Sequence, residues 1–426
     1  MKIQNNEAQQ DLQKSGNVQS SKQKNLTLIF NLIVEHAPIS RAKLAEMTTL
    51  SPTTISTLTE ELLDNELVLE TGTGKLEGSG RRPIMLEINP AGGFVASIEL
   101  LERGFRLAIY NVKCEKVNSG FYEVNDYSAI ADYIVETIDH ELMKHHIPEN
   151  KLLGVVVGIP ALLDLKSNAI IKSTVIPIGT NNEAFYKRMK ARFPAIPVIL
   201  GNQSSYYAYA EQDAFLDKIS ELIFIDINVG IGSGIVLNGE IYNGSFNLAG
   251  EIGHITVDVN GPKCKCGSRG CLEMLASVPA ITHMISFEMI KGTDSEIREI
   301  VGNDFSKITM DIIKNAYANH DELATEVIDR AAMYLAFGIN NVINMVNPQV
   351  IVIGGEIVEL GQTFLASIEK HLHSIALYPN MPIRIEYSSL DHEAPTLGGA
   401  KYLVDTLFKD INPILAGIGN STKESD

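Results

Sequence analysis

The sequence predicts an α/β protein preceded by a small α+β module, and three observations carry that prediction. Apolar runs rich in β-branched residues, "LLGVVVGIP", "PVILGN", "ELIFIDI" and "QVIVIGG", have the length of buried strands and alternate with helical patterns. Ahead of Asn89-Pro90 the pattern differs: three short helical stretches are followed by two strand-like runs. At 426 residues the chain also exceeds the size at which one hydrophobic core usually keeps growing, so two or three domains are expected.

Residues 1–24 are rich in Gln, Asn, Ser and Lys and are expected to be disordered. Leu26, Ile29, Phe30, Ile33 and Val34 then recur at helical spacing and mark one apolar stripe. Ala37-Pro38 stops this helix, and Ser40 is placed to cap a second one carrying Leu44, Ala45 and Met47. After the short "TTL" connection, Ser51-Pro52 reads as an N-cap followed by proline at the first helical position. Ile55, Leu58 and Leu62 mark the inner face of that third helix. "LVLETGTGKLEGSGRRPIMLEIN" supplies two strand-like runs around a glycine-rich tip ending in Arg81-Arg82. Together these elements fit a winged helix-turn-helix over 25–90.

Small hydroxyl side chains suit phosphate oxygens and base edges in a major groove. Ser51, Thr53, Thr54, Ser56 and Thr57 of the third helix are therefore candidate DNA-binding residues, with Arg81 and Arg82 reaching backbone phosphate or the minor groove from the wing. The expected partner is double-stranded operator DNA; a three-helix protein-interaction module has the same helical pattern. From Lys22 to Glu87 seven Lys/Arg stand against nine Asp/Glu, so binding must rest on a few placed contacts and on a homodimer or dimer of dimers.

The net charge of -17 argues against a broad polyanion-binding surface. Four cysteines do not make a secreted disulfide framework, the N-terminal run has no apolar signal core, and no stretch is long and apolar enough to cross a bilayer. A cytoplasmic protein without a membrane partner is expected.

Beyond residue 90 a long helical pattern covers 324–346, and 411–426 is expected to be a tail. "DINVGIGSGIVLNG" follows a strand-like run, and Gly230, Gly232 and Gly234 would let backbone approach a ligand closely. Neither a Walker lysine nor a dinucleotide fingerprint is present. His254, Cys264, Cys266 and Cys271 form H-x9-C-x-C-x4-C. Three thiolates and an imidazole complete a tetrahedral zinc shell and leave no open position for a catalytic water, so a structural zinc is expected; the alternative is a set of free thiols. Cys114 stands apart, as a small residue in local packing.

With its E-x-G-H followed by C-x-C-G-x-x-G-C-x-E, "GEIGHITVDVNGPKCKCGSRGCLE" resembles the signature of the ROK family of repressors, open reading frames and kinases. The "GSGRRP" wing resembles the branch of xylose and N-acetylglucosamine repressors. The resemblance implies a two-lobed, actin-like (ribonuclease H-like) ATPase fold over 91–410, with lobe 1 about 91–201 plus 395–410 and lobe 2 about 202–394. It also implies a sugar site in the cleft, with hydroxyls read by Asn202, Glu251, His254 and Glu273, and with Gln203 beside them. One nitrogen of His254 would bind zinc while the other faces the sugar.

Family kinases carry Asn-Asp where this chain has Asn202-Gln203, and a carboxamide cannot serve as the general base. Their Asp-x-Gly-Gly-Thr phosphate loop is replaced by Glu99-Leu100-Leu101-Glu102-Arg103, and Asp226, Asn228 and Val229 stand where kinases have Thr, Gly and Thr. The expectation is a sugar-responsive transcriptional repressor and not an enzyme, in which sugar bound between the lobes would alter their angle and the spacing of paired DNA-binding modules. The alternative is an ATP-dependent hexokinase carrying an added DNA-binding module.

Overall fold

A computed structural model describes residues 4–73, 82–173, 175–179, 182–215, 217–378 and 382–421. The chain divides into two compact units: Met1–Val157, Val175–Leu200 and Gly399–Asp426 form the first, and Gly158–Thr174 and Gly201–Gly398 the second. The hairpin of Leu162–Asp164 and Ala169–Lys172, expected in lobe 1, falls in the second unit. Ser173 closes this excursion on itself by donating to the Pro160 carbonyl (2.7 Å).

In the first unit the opening helix spans Gln4–His36, so the polar run from residue 4 to 24 is helical and not disordered as expected. Its Gln, Lys, Glu and Ala residues are good helix formers, and no proline occurs before Pro38. Leu26, Ile29, Phe30 and Ile33 are buried, whereas Val34, at the edge of the stripe, is 39% exposed. Ser40 caps Arg41–Thr48 by accepting from the Lys43 N–H (3.2 Å), and Ser51 caps Pro52–Asp64 by accepting from the Thr54 N–H (3.1 Å). Ile84–Ile88 pairs antiparallel with both Ile39–Ser40 and Val68–Thr73 to form the wing sheet. This module rests on the rest of its unit. Phe30 packs against Phe408, Asn31 donates to the Phe408 carbonyl (3.0 Å), and Lys151 pairs with Glu66 (2.6 Å).

Both units carry the same sheet. In the first, the spatial order is Val198–Asn202, Leu152–Ile159, Phe94–Leu101, Gly104–Asn111, Lys116–Glu123. In the second it is Glu240–Ile241, Ile231–Leu237, Leu222–Ile227, Val350–Gly354, Arg384–Tyr387. Numbered along the chain within its own unit, each sheet reads 3-2-1-4-5, and strands 1 to 3 are antiparallel in both.

The long helix of the second unit spans Glu322–Val346. Asp321 caps it by accepting from the Ala324 N–H (2.8 Å), and Asn347 ends it in the left-handed region ahead of Pro348. Val327, Ile328, Ala331, Leu335, Ile339 and Val342 form its buried face, packed against Gly361–Ile375. The C-terminal segment expected as a tail from 411 forms a further helix, Asn412–Ser421, in which Ile414 is buried just beyond the buried Ile411. Among the described residues no helix is long and apolar enough to cross a membrane.

Candidate functional site

Glu273 and the loop bearing Glu251 and His254 meet at the start of the strand Ile231–Leu237, which packs against the helix that Asn202 caps and Gln203 opens. On one side lies the helix Gln203–Ala214, capped by Asn202, whose Oδ1 accepts from the Ser204 N–H (2.8 Å). That cap fixes the carboxamide oxygen. A β-carbon at Gly232 would lie 2.8 Å from Ser204 Oγ, and one at Gly234 would lie 2.1 Å from the Ser204 carbonyl. These two glycines therefore let the strand pack against the helix. The sequence-based expectation that they open the backbone to a ligand is corrected: what approaches closely is Ser204 and Ala208.

On the other side, the loop bearing Glu251 and His254 leans on the same strand. Ser233 Oγ donates to the Gly250 carbonyl (2.6 Å), and a β-carbon at Gly253 would meet the Ile231 carbonyl at 2.2 Å. Glu273 closes the arrangement, because its Oε2 accepts from the Ile231 N–H (3.2 Å). Glu251 is an exposed residue, but desolvation by the protein around its carboxyl pushes its pKa up; His254 opposes that shift and the Glu273 charge adds to it. Asn202, Gln203, Glu273 and His254 are each half-buried. The donor from Ile231 had no signal in the sequence, since every residue but proline carries a backbone N–H.

The Cys/His cluster is assembled as expected. His254 Nδ1 lies 3.7 Å from Cys264 Sγ, Cys266 Sγ lies 3.6 Å from Cys271 Sγ, and all four candidate ligand atoms lie within 4.8 Å of one another. A zinc tetrahedron with bonds of about 2.3 Å has edges of roughly 3.8 Å, so the donor set fits that ion. The knuckle is tied by Cys264 N–H to Ser268 O (2.8 Å) and Gly270 N–H to Pro262 O (2.8 Å). Gly270 has φ +59, and a β-carbon there would lie 1.5 Å from the Asp258 carbonyl, so only glycine closes this turn. Burial pushes the Cys271 thiol up to about 12, and a thiolate at that position calls for a cation beside it. With Nδ1 beside Cys264, Nε2 is the ring nitrogen not needed by the cluster.

Two segments stand where the resemblance puts the phosphate loops of a kinase. Leu101 pairs with Gly104, which leaves Glu102 and Arg103 as an exposed two-residue turn. Glu99 is buried and paired across the strands with Arg106. In the second loop, Asn228 Nδ2 donates to Asp226 Oδ1 (2.7 Å) and Asn228 Oδ1 accepts from the Glu356 N–H (2.7 Å). Burial raises the Asp226 carboxyl to about 6, against the hydrogen bond from Asn228.

On the winged module, Thr53 and Thr57 point outward from Pro52–Asp64, with Thr57 Oγ1 donating to the Thr53 carbonyl (3.1 Å). The Ser51 and Thr54 hydroxyls bond each other at the cap (2.8 Å), and Ser56 is half-buried. The helix contains no Lys or Arg. Arg82 is exposed, and Arg81 lies outside the described residues. Sequence reasoning missed Arg41, which donates to both Thr59 (3.0 Å) and Glu70 (2.8 Å) and so ties the recognition helix to the wing.

The pattern that defines the ROK family matches residues 97–406. The chain belongs to the ROK family. The xylose repressor of Bacillus spizizenii is 30% identical to this ROK protein over 395 residues, covering 92% of this chain and 97% of the repressor. The DNA-binding transcriptional dual regulator NagC of Escherichia coli is 28% identical over 394 residues, covering 89% and 92%. A solved ROK family transcriptional regulator, described as a homolog of the E. coli MLC protein, superposes with a TM-score of 0.78 at 26% identity, covering 93% of this chain and 98% of the other. The ROK hexokinase from Thermus thermophilus superposes with a TM-score of 0.63 at 20% identity, covering 74% of this chain and 99% of its own. The ROK chain thus has the actin-like, ribonuclease H-like fold that the resemblance implied, preceded by a winged helix-turn-helix.

Proposed function

We propose that this ROK protein is a sugar-responsive, DNA-binding repressor of carbohydrate-utilisation genes, built on a kinase fold that no longer transfers phosphate. The observation that carries the reading is the contrast within the second unit. Glu273 and the loop of Glu251 and His254 meet at the start of Ile231–Leu237, while Asn228 ties the adjoining loop to Asp226 and Glu356. Gln203 stands where a kinase needs a carboxylate base, and the Glu102-Arg103 turn offers no glycine cradle.

In this reading Glu251, Glu273 and Asn202 bond the sugar hydroxyls, and His254 Nε2 joins them. A structural zinc on His254 Nδ1, Cys264, Cys266 and Cys271 fixes the orientation of that ring. Xylose and N-acetylglucosamine are the first effectors to test, because one relative is named xylose repressor and another, of Escherichia coli O6:H1 and 28% identical, is named N-acetylglucosamine repressor. Thr53 and Thr57 read base edges, Arg82 contacts backbone phosphate, and a homo-oligomer presents two modules to paired half-sites.

Calorimetric titration of the zinc-loaded protein with a panel of pentoses, hexoses and N-acetylhexosamines tests the site, with a coupled assay for ADP release run alongside. Binding of one sugar class, weakened but still measurable in Glu251→Gln and Glu273→Gln and unaccompanied by ADP, supports the reading. Sugar-dependent ADP release from the wild-type chain favours the hexokinase alternative.

A further inference from the structure

We infer that Asn228 is a positioning residue for the sugar site, holding Glu273 in place from the closed phosphate loop. The inference rests on the sugar-binding reading of Glu273 given above. Both ends of the Asn228 carboxamide and both of its backbone polar groups are engaged. The side chain accepts from the Glu356 N–H (2.7 Å) and donates to Asp226 Oδ1 (2.7 Å). The backbone N–H donates to the Gly230 carbonyl (2.9 Å), and the backbone carbonyl accepts from the Val278 N–H (3.1 Å). One residue thereby joins the end of Leu222–Ile227, the Gly355-Glu356 corner, the turn into Ile231–Leu237 and the start of the helix Val278–Ile290.

Those last two attachments bracket Glu273. Ahead of it in space, the turn fixed by Asn228 presents the Ile231 N–H that bonds Glu273 Oε2 (3.2 Å). Behind it, Glu273 opens the short helix Glu273–Ala276, and Ser277 N–H returns to the Glu273 carbonyl (3.3 Å). The next residue is Val278, which Asn228 anchors. The Gly355 corner offers the loop no slack. With φ +87, a β-carbon there would lie 2.4 Å from the Ile227 carbonyl and 2.8 Å from Asp226 Oδ1. A carboxylate that reads hydroxyl positions tolerates displacement poorly, and by analogy with the outer partners of metal ligands, whose loss costs about 10–100-fold in affinity, an effect of about tenfold is expected.

The same residues that shut out a phosphate therefore brace the sugar-binding carboxylate. Loss of the kinase's glycine at this position is then a gain of rigidity for the sensor.

The test is calorimetric affinity for the sugar that the wild-type chain binds, measured with Asn228→Ala, Asn228→Asp combined with Asp226→Asn, Glu273→Gln and the double variant Asn228→Ala/Glu273→Gln, each checked by thermal melting and zinc content. Asn228→Ala is expected to weaken binding by about tenfold or more, at unchanged zinc content. Asn228→Asp keeps the acceptor for the Glu356 N–H but sets a carboxylate against Asp226, so it is combined with Asp226→Asn, which supplies the donor between the two side chains; this pair is expected to recover part of that loss and also serves if the alanine variant does not fold. The double variant is expected to bind no more weakly than Glu273→Gln alone, an outcome that general loosening of the fold would not give. Folded Asn228 variants that bind as tightly as wild type, or losses that simply add in the double variant, overturn the inference. A wild-type chain that binds no sugar overturns the functional reading beneath it.

Discussion

The rings of Phe30 and Phe408 meet edge to face, with centroids 4.7 Å apart and planes at 84°. Phe30 lies on the first helix of the winged module and Phe408 ends the helix Ala394–Phe408, so this pair seats the module on the rest of its unit. Both side chains are buried, at 1% and 8% exposure. Phe408→Ala is expected to cost about 3–5 kcal/mol, the usual range for a buried phenylalanine, and Phe408→Leu under about 1.5 kcal/mol. Urea denaturation followed by circular dichroism measures both; equal losses would argue against a packing role for the ring.

The zinc knuckle makes a prediction of its own. Gly270→Ala forces a side chain into the Asp258 carbonyl at a left-handed position, so the knuckle cannot close. The variant, like Cys271→Ser, is expected to retain well under one zinc per chain by elemental mass spectrometry, and to lose sugar binding with His254. The thermal unfolding of the winged module, on the other unit, is expected to persist. Full sugar affinity in a zinc-free chain would contradict the bracing role of the metal.

Asp226 gives stability a definite pH dependence. Burial raises its carboxyl from the ordinary 3.8 to about 6. Between those values the folded chain holds a proton there that the unfolded chain has released. Its contribution to stability is therefore fully present below about pH 4 and is lost as pH rises through about 6. Asp226→Asn keeps an oxygen for Asn228 Nδ2 and removes the ionisation. Melting temperatures are expected to favour the variant by a few degrees above about pH 7 and to converge near about pH 4. A variant less stable than wild type at neutral pH would contradict the sign.

DNA binding is expected to be only moderately sensitive to salt. The helix Pro52–Asp64 carries no Lys or Arg, so in the proposed reading Thr53 and Thr57 would supply base contacts while phosphate contacts would fall to Arg82 and the helix N-terminus. Thr53→Ala and Thr57→Ala are each expected to cost about 1–3 kcal/mol of operator affinity and to relax sequence preference, whereas Arg82→Ala lowers the salt slope by about one. Fluorescence anisotropy across a salt series separates the two effects.

Local signals in the sequence marked their elements well. Ser40 and Ser51 cap the helices they precede, Pro52 opens the third, and Ile55, Leu58 and Leu62 are its buried face. The Cys/His spacing likewise foretold a cluster, because its residues lie within one short segment. Long-range pairing was less legible. Leu222 pairs with Val350 across 128 positions, and the matching 3-2-1-4-5 order of the two sheets leaves no repeat in the residues, since many apolar sequences satisfy one topology. Glycine composition foretold close approach at Gly232 and Gly234 but not that a helix would be the neighbour. The polar run from residue 4 to 24 misled for a related reason: residues common in disordered chains are also good helix formers.

The central claim is that sugar binding in the second unit governs DNA binding without phosphate transfer. Its most direct measurement is the anisotropy of a labelled promoter fragment from a carbohydrate-utilisation operon, titrated with the zinc-loaded chain and with each sugar of the panel. The account predicts that one sugar changes operator affinity by about tenfold or more, a coupling above about 1.4 kcal/mol, and that Glu273→Gln abolishes the response while still binding the operator. Operator affinity unchanged by every sugar that calorimetry finds bound, or a response that requires ATP and yields ADP, would contradict it.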